Sequence, residues 1–418
     1  MEADVIVIGA GLAGLQCARR AQRNGHKVIV LEAGSAVGGR VQTDQIDGFL
    51  CDRGFQLLNP AYPAVRQWIN VPALKLQKFG VGVVVRVGEK TTTLAHPIYH
   101  PTHALATLRS ELTSISELVN LTRWFVPTLL RPSIAYRSWR DQTLSESLDG
   151  AGVAGPLRRD VLDTFLAGVL ADSSGETSAN YSRVLMRFFA LGTPGLPRQG
   201  MRALPEQMAS SLQNSVLLNC AARELQEIPD GIQVRTDNGI IRARVAVLAV
   251  GPQDVPKFTN LSATLTRGLT TWWFRAPDRP RKSPFLMLDA SRPGGGPAGP
   301  IWHTAVVSDA APSYAPAGEH LIEATTLLDR PDGLASEADV RRDLERLYQT
   351  STKDWEILRH DVVPHALPLH PPPFQNNSPI WAGERTLVTG DHRSAGSIQG
   401  ALTSGDCAGQ TVTDYLRR

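Results

Sequence analysis

Lysine is scarce in this chain of 418 residues: Lys27, Lys75, Lys78, Lys90, Lys257, Lys282 and Lys353 are the whole set, against 36 arginines. Any chemistry that needs a lysine therefore has few candidates. Cysteine is scarcer still. Cys17, Cys51, Cys220 and Cys407 are widely spaced, with no CxxC pair and no disulfide rhythm, so they read as free, mostly buried thiols. No apolar run approaches the roughly 18 residues needed to span a bilayer. The opening Met1-Glu2-Ala3-Asp4 lacks a basic region and runs straight into a strand, so no signal peptide is expected and a cytoplasmic setting is the default. The sequons at Asn120, Asn180 and Asn260 carry no meaning for a chain that is never secreted. A net charge of +3 is too small to argue for nucleic acid, and no basic block is interleaved with aromatics. No GxSxG, Ser-His-Asp order or P-loop occurs.

What is present describes a globular protein, with 42% hydrophobic and 20% charged residues. The length favours two domains over one core. The first segment, "ADVIVIGAGLAGLQCARRAQRNGHKVIVLEAG", opens on a buried-strand run at 5–8. Gly9, Gly11 and Gly14 follow in GxGxxG spacing, a helix is expected over 12–24, and a second strand over 27–31 closes on Glu32. Gly9 suits a tight turn, Gly11 allows backbone to approach a pyrophosphate, and Gly14 lets helix and strand pack closely. The free N–H groups and positive end of that helix face phosphates. Glu32, 18 residues after Gly14, completes the dinucleotide context and can accept hydrogen bonds from a ribose. An acid there repels a 2′-phosphate, which disfavours NADP. Next comes "GSAVGGRVQT", whose Gly38-Gly39-Arg40 places a guanidinium where it can make bidentate contacts to a pyrophosphate.

The other end of the chain carries a second ligand-site pattern. "LVTGDHRSAGSIQGALTSG", 387–405, reads as a short strand, a turn at Gly390-Asp391, small residues and a helix beginning near Ser397. The two ends together resemble the FAD-dependent amine oxidase and phytoene desaturase superfamily. The resemblance rests on GxGxxG, Glu32, Gly38-Gly39-Arg40, the DxGF segment (Asp52, Gly54, Phe55) and the closing GD and GSIQGALTSG. "DRGFQLLNPAYP", "DAAPSYAPAGEHLI" and "HALPLHPPP" are similar to its compact phytoene-dehydrogenase-like branch. The resemblance covers nearly the whole chain and is weakest around 100–180.

It implies an α/β fold: a Rossmann-like, GR2-type FAD-binding domain (1–79, 197–255 and 375–418) interleaved with an α+β substrate domain (80–196 and 256–374). It also implies one non-covalent FAD stretched between the two ends. Gly9, Gly11, Leu12, Ala13, Gly14, Glu32, Ala33, Gly38, Gly39 and Arg40 would hold the adenylate half, with a backbone contact to adenine near Ala222. Gly390 and Asp391 would reach the pyrophosphate–ribityl stretch. Ser397, Ile398, Gln399 and Ala401 would line the flavin N1/O2 edge, where a helix N-terminus stabilises the charge of reduction. Gly54, Phe55 and Gln56 complete the expected cofactor set, Gln56 being the best polar candidate near the ring.

Between the ends, a helix is expected near 204–212, a strand near 216–218, a hairpin turning at Asp237-Asn238-Gly239 and a buried strand at 245–250 that Gly251-Pro252 ends. Helical regions are expected over 104–130 and 143–170. Strands are expected at "LTTWWF", "FLMLD", "IWHTAVV" and "EHLIEATTLL". "SRPGGGPAGP" reads as a connection, and 336–352 as a helix capped by Ser336.

His96, His100 and His103 stand at i, i+4 and i+7, but Pro97 and Pro101 interrupt that helix, so no metal site is expected. His360, His365 and His370 lie among prolines and fare no better. His392 and Arg393 follow Asp391 and either face the cofactor or sit on a surface loop. Of Trp272 and Trp273, core packing is expected for both, with one able to line a substrate cavity.

Flavin enzymes of this type move a hydride equivalent from a substrate C–H to flavin N5, so no acid/base residue is obligatory and none is assigned. Lys257 and Lys282 are the only lysines open to the amine-oxidase role, and neither sits in a recognisable lysine motif. No tyrosine precedes GSIQGA, and Cys407 lies after it. Three readings stand. The first is an FAD oxidoreductase acting on a small apolar molecule, isoprenoids and polyenes in view. The second is an amine oxidase. The third is a redox-neutral isomerase or flavin-binding scaffold. The electron acceptor is open. An apolar substrate would need a greasy entrance, and 104–130 is the region to search for a peripheral membrane contact.

Overall fold

The computed structural model describes residues 2–96, 99–108, 110–131, 140–212, 216–375 and 379–418. Strands covered on both faces carry continuous apolar runs, and such runs build the first sheet. Ala3–Ile8 lies at its centre, paired in parallel with Val28–Leu31 on one side and Gly239–Leu248 on the other. Val216–Leu217 extends it beyond Val28–Leu31, and Thr386–Val388 pairs with the second half of Gly239–Leu248, again in parallel. The first half of that long strand pairs instead with an antiparallel meander, Ala222–Ile228 and Gly231–Thr236, which turns at Asp237-Asn238 as expected. The result is a mixed α/β layer whose parallel part draws strands from three distant parts of the chain.

Two helices cover one face of this sheet and join the chain ends. Leu12–Arg23 and Ile398–Leu416 touch backbone to backbone. A Cβ on Gly405 would lie 2.2 Å from the Ala13 carbonyl oxygen, and one on Gly409 would lie 2.7 Å from that of Cys17. Polar contacts then fix the register: Gln16 Nε2 donates to Asp406 Oδ1 at 3.0 Å, Arg20 to Gln410 Oε1 at 2.6 Å, and Asn24 to Thr413 Oγ1 at 3.0 Å.

The second sheet has seven strands in the order Glu356–Pro368, Thr266–Ala276, His320–Leu327, Ile301–Val306, Leu286–Asp289, Gly82–Val87, Lys90–Ala95. All neighbours are antiparallel except Leu286–Asp289 with Gly82–Val87. The four strands expected between 266 and 327 are all there. Two features were not expected. Neither the hairpin Gly82–Ala95 nor the strand Glu356–Pro368 is among the strands expected from the sequence. Proline is tolerated in the latter because the strand lies at the sheet edge, where a missing N–H costs no ladder bond.

The expected long helices are shorter. Pro101–Leu108 and Ile115–Leu130 are separated by a turn, with Ser114 capping the second through Glu117 N–H at 3.2 Å. Pro101 starts its helix, where proline is best accepted; Pro97 and residue 109 lie outside the described residues. The 143–170 region splits into Leu144–Gly150 and Asp163–Leu170 around Gly152, whose φ of +69° no helix accommodates. These helices and Ala179–Leu191 pack around Trp124, Leu148, Leu166, Tyr181 and Leu185. No helix among the described residues is long and apolar enough to cross a membrane.

Candidate active site

A cleft of about 710 Å³ runs along the carboxyl ends of the parallel strands, and both chain ends line it. Gly9, Gly11, Leu12, Ala13, Glu32, Ala33, Gly38, Gly39, Arg40, Ala222, Gly390, Asp391, Ser397, Ile398 and Ala401 all face it. Gly9 is required by the protein itself: its φ is +104°, and a Cβ would meet the Ala249 carbonyl oxygen at 2.6 Å. Gly14 does not line the cleft. It allows the expected close packing, since a Cβ would lie 2.0 Å from the Gly9 carbonyl oxygen. Gly11 differs from both, because a Cβ there would meet no protein atom within 4 Å and would project into the cleft. Only a ligand passing close to this backbone makes glycine necessary at that position.

Glu32 is held in place by two N–H donors, Ala10 and Gly34, each at 2.8 Å. Arg40 crosses the cleft: its guanidinium donates to Asp391 Oδ1 at 2.6 Å and to the Ala366 carbonyl at 2.5 Å. The guanidinium expected on a pyrophosphate thus ties the N-terminal turn to the C-terminal one. Ser397 caps the last helix, its Oγ accepting from Gly400 N–H at 3.1 Å. The described residues therefore fit a dinucleotide: two capped or glycine-started helix N-termini, a pinned carboxylate and a backbone left bare at Gly11 share one groove.

Beside this cleft, and sharing Arg40, Val41, Val363, Ser397 and Ile398 with it, lies a second cavity of about 250 Å³. Its wall is mostly apolar and includes Phe55, Phe165, Phe189, Leu185, Leu269 and Leu367. Among the described residues its charged groups are guanidiniums, Arg40 and Arg53, and no lysine or carboxylate lines it. Gly54, Phe55 and Gln56 line this cavity and not the cleft. Gln56 is occupied with backbone, its Nε2 donating to the Arg40 carbonyl at 2.9 Å. The DxGF acid is structural. Buried Asp52 accepts from Thr43 Oγ1, from Met201 N–H at 3.0 Å and from the Tyr314 hydroxyl at 2.9 Å, while its carbonyl takes the Trp273 indole N–H at 3.0 Å. Desolvation holds its carboxyl up to about 6.

Other expectations resolve as follows. Gln399 lines neither space: its Oε1 accepts from Ala64 N–H at 2.9 Å and its Nε2 donates to Thr403, because the helix turns that side chain toward Pro63–Trp68. Lys257 sits on the cleft near Gly251 and Phe258 but is paired with Asp254 at 2.6 Å, and Lys282 reaches neither space. Trp272 and Trp273 are both core residues, Trp272 stacked on His360. No group of three or more metal-ligating side chains gathers among the described residues. All four cysteines are free, three buried and Cys407 exposed.

Sequence reasoning missed the wall between the two spaces. Val363, Ala366 and Leu367 come from the proline-containing edge strand, and no alternation along it signals them. Also missed was a clamp on the loop before the last helix: Gly396 N–H donates to His370 Nε2 at 2.8 Å, and Tyr181 hydroxyl donates to the Gly396 carbonyl at 3.0 Å.

Burial lowers His303, His370 and His392 to about 4. An unfolded imidazole takes its proton near 6.5, so between 6.5 and 4 the unfolded chain binds more protons and stability falls with pH. The loss is about 1.4 kcal/mol per pH unit for each histidine. Asp52 and Asp163, both held up to about 6, act with the opposite sign. Comparing variants isolates one group. His392→Leu removes a buried ring with no hydrogen-bond partner, and relative to wild type it should gain about 3 kcal/mol on going from pH 7 to pH 4. Denaturant titrations at the two pH values measure this; an unchanged difference would contradict it.

The family of flavin-containing amine oxidoreductases matches residues 12–413. Putrescine oxidase of Kocuria rosea is 26% identical over 279 residues, 60% of this chain and 57% of that protein. Pseudooxynicotine dehydrogenase of a Pseudomonas species is 26% identical over 263 residues, 59% of this chain and 51% of that one. These matches span less than two thirds of the relatives' own length. An oxidoreductase from Methanosarcina mazei superposes with a TM-score of 0.74 over 98% of this chain and all of its own, at 15% identity, which shows the fold. With a family match over nearly its whole length, the chain belongs to the flavin-containing amine oxidoreductases.

Proposed function

We propose that the chain oxidises an apolar, uncharged substrate at a C–H bond, with isoprenoids and polyenes as the class in view. The observation that carries this reading is the wall of the second cavity, where, among the described residues, hydrocarbon side chains are joined by two guanidiniums and no carboxylate. An ammonium entering it would leave water without a counter-charge, at a cost of several kcal/mol. An apolar body instead gains about 25 cal/mol for each Å² removed from water. A volume of about 250 Å³ lies below the roughly 300–1,000 Å³ of drug-sized sites, so the cavity suits one end or ring of a long polyene.

When bound, FAD supplies the two-electron oxidation, accepting the hydride equivalent. The cleft residues named above would hold it. The chain's own contribution is position and electrostatics: the Ser397-capped helix N-terminus favours negative charge at the redox end, and the apolar wall excludes water. The exposed face of Ile115–Leu130, with Ile115, Leu118, Val119 and Leu130, supports a lipid surface as the source of substrate.

The amine reading is favoured by what relatives are named for, putrescine oxidase among them. Anaerobic mixing decides. FAD-loaded protein is mixed with a polyene carried in phosphatidylcholine vesicles, or with benzylamine. Bleaching of the oxidised-flavin band by the polyene, with protein pelleting alongside the vesicles, is expected. Bleaching by the amine alone establishes the second reading. A flavin that photoreduces but answers neither compound leaves the redox-neutral one.

A further inference from the structure

We propose that His303 selects substrates carrying an oxygen function, offering an N–H donor from Nδ1 to a carbonyl or hydroxyl oxygen on an otherwise apolar body. The inference deepens the apolar-substrate reading and rests on it. His303 stands on Ile301–Val306 and lines the second cavity, its ring 5.7 Å from that of Phe55. It is 6% exposed, and its Nε2 is buried without a hydrogen-bond partner. On the adjacent strand, Glu323 Oε1 lies 3.9 Å from that Nε2.

Glu323 is fully buried, and no cation stands beside it among the described residues. Its Oε1 receives the Thr325 hydroxyl, and its Oε2 has no partner. Desolvation holds this carboxyl well above the usual range, which favours its neutral form, and lowers His303 to about 4, so the imidazole is neutral near pH 7. A neutral carboxylic acid is the donor in such a pair. At 3.9 Å the two groups stand beyond hydrogen-bond distance; closing by about 1 Å would bring the acid's proton to Nε2 and confine the imidazole hydrogen to Nδ1.

A glycine keeps Nδ1 reachable. Gly168 lies inside the helix Asp163–Leu170, where glycine weakens the helix, and a Cβ there would sit 2.4 Å from His303 Nδ1. Gly168 and His303 line the same cavity. A pure hydrocarbon would leave the Nδ1 N–H buried and unpaired, whereas an ammonium, a donor only, would meet another donor. A ligand oxygen satisfies it.

Tetralin and 1-tetralone share a carbon frame and differ by one carbonyl. Calorimetric titration of oxidised, FAD-loaded protein should give tetralone about ten-fold tighter binding, as one net hydrogen bond provides. The preference should vanish in His303→Leu and persist in His303→Asn, whose amide places a donor where Nδ1 stood. Glu323→Gln, whose amide also offers a donor on the Nε2 side, should keep it; loss there would overturn the assignment. Equal affinities in the wild type would also overturn it while leaving the apolar reading intact. That comparison needs no variant to fold. If neither compound binds and benzylamine does, the apolar reading falls with it.

Discussion

Replacing Gly11 by valine is expected to abolish FAD binding while leaving the apoprotein folded. The backbone at Gly11 is ordinary, with φ −70° and ψ 175°, so a β-branched residue costs little there. No protein atom lies within 4 Å of the added Cβ, and a substitution of that kind usually changes stability by no more than about 0.5 kcal/mol. The isopropyl group would instead project into the cleft beside Gly38-Gly39, where a pyrophosphate held on this turn would approach the backbone. A fall of at least about 100-fold in FAD affinity, equivalent to about 2.7 kcal/mol, should follow. Titration of apoprotein with FAD, beside a denaturant melt without it, reads both halves. A variant that binds FAD normally would mean that the cleft is not the dinucleotide site.

Gly405→Val should fail differently, losing the fold and the cofactor together. Its Cβ would come within 2.2 Å of the Ala13 carbonyl oxygen and 2.9 Å of the carbonyl carbon. Both are backbone atoms in a helix that cannot move aside alone. Overpacking of this kind costs about 1–3 kcal/mol where neighbours are flexible and more where they are not, so a loss of about 3–5 kcal/mol is expected. Separating Leu12–Arg23 from Ile398–Leu416 also pulls Arg40 from Asp391, since each partner is carried by one side of that contact. FAD should then rescue stability far less than it does in wild type. A variant with wild-type stability and full flavin content would show that the two ends of the site do not depend on this helix contact.

Much of the site was legible because its requirements are local. Gly14 and Glu32 act through neighbours within one βαβ unit, Gly9 through its own φ of +104° as well as through distant Ala249, and their spacing reports a turn, a packing contact and a strand end. Ser397 announces a cap in the same way. Gln399 was misplaced because helical phase from an uncertain start does not say which side of the helix meets Pro63–Trp68. The edge strand Glu356–Pro368 was missed because its prolines argue against a strand unless one knows that it has no neighbour on one side. His303 could not be found at all. Its role depends on Glu323 across a strand pair and on Gly168 from a helix 135 positions earlier, and nothing in the sequence around it signals either.

The sequence by itself determined the cofactor class and the α/β sheet that binds it, because phosphate-cradling turns and strand–helix alternation are written in short-range spacing. Tertiary structure alone decided that Arg40 reaches Asp391, that Gly405 lets the two ends of the chain touch, and that a carboxylate-free cavity opens beside Ser397. Those contacts join residues hundreds of positions apart, and their energies arise from burial and close packing, which exist only once both sheets have formed.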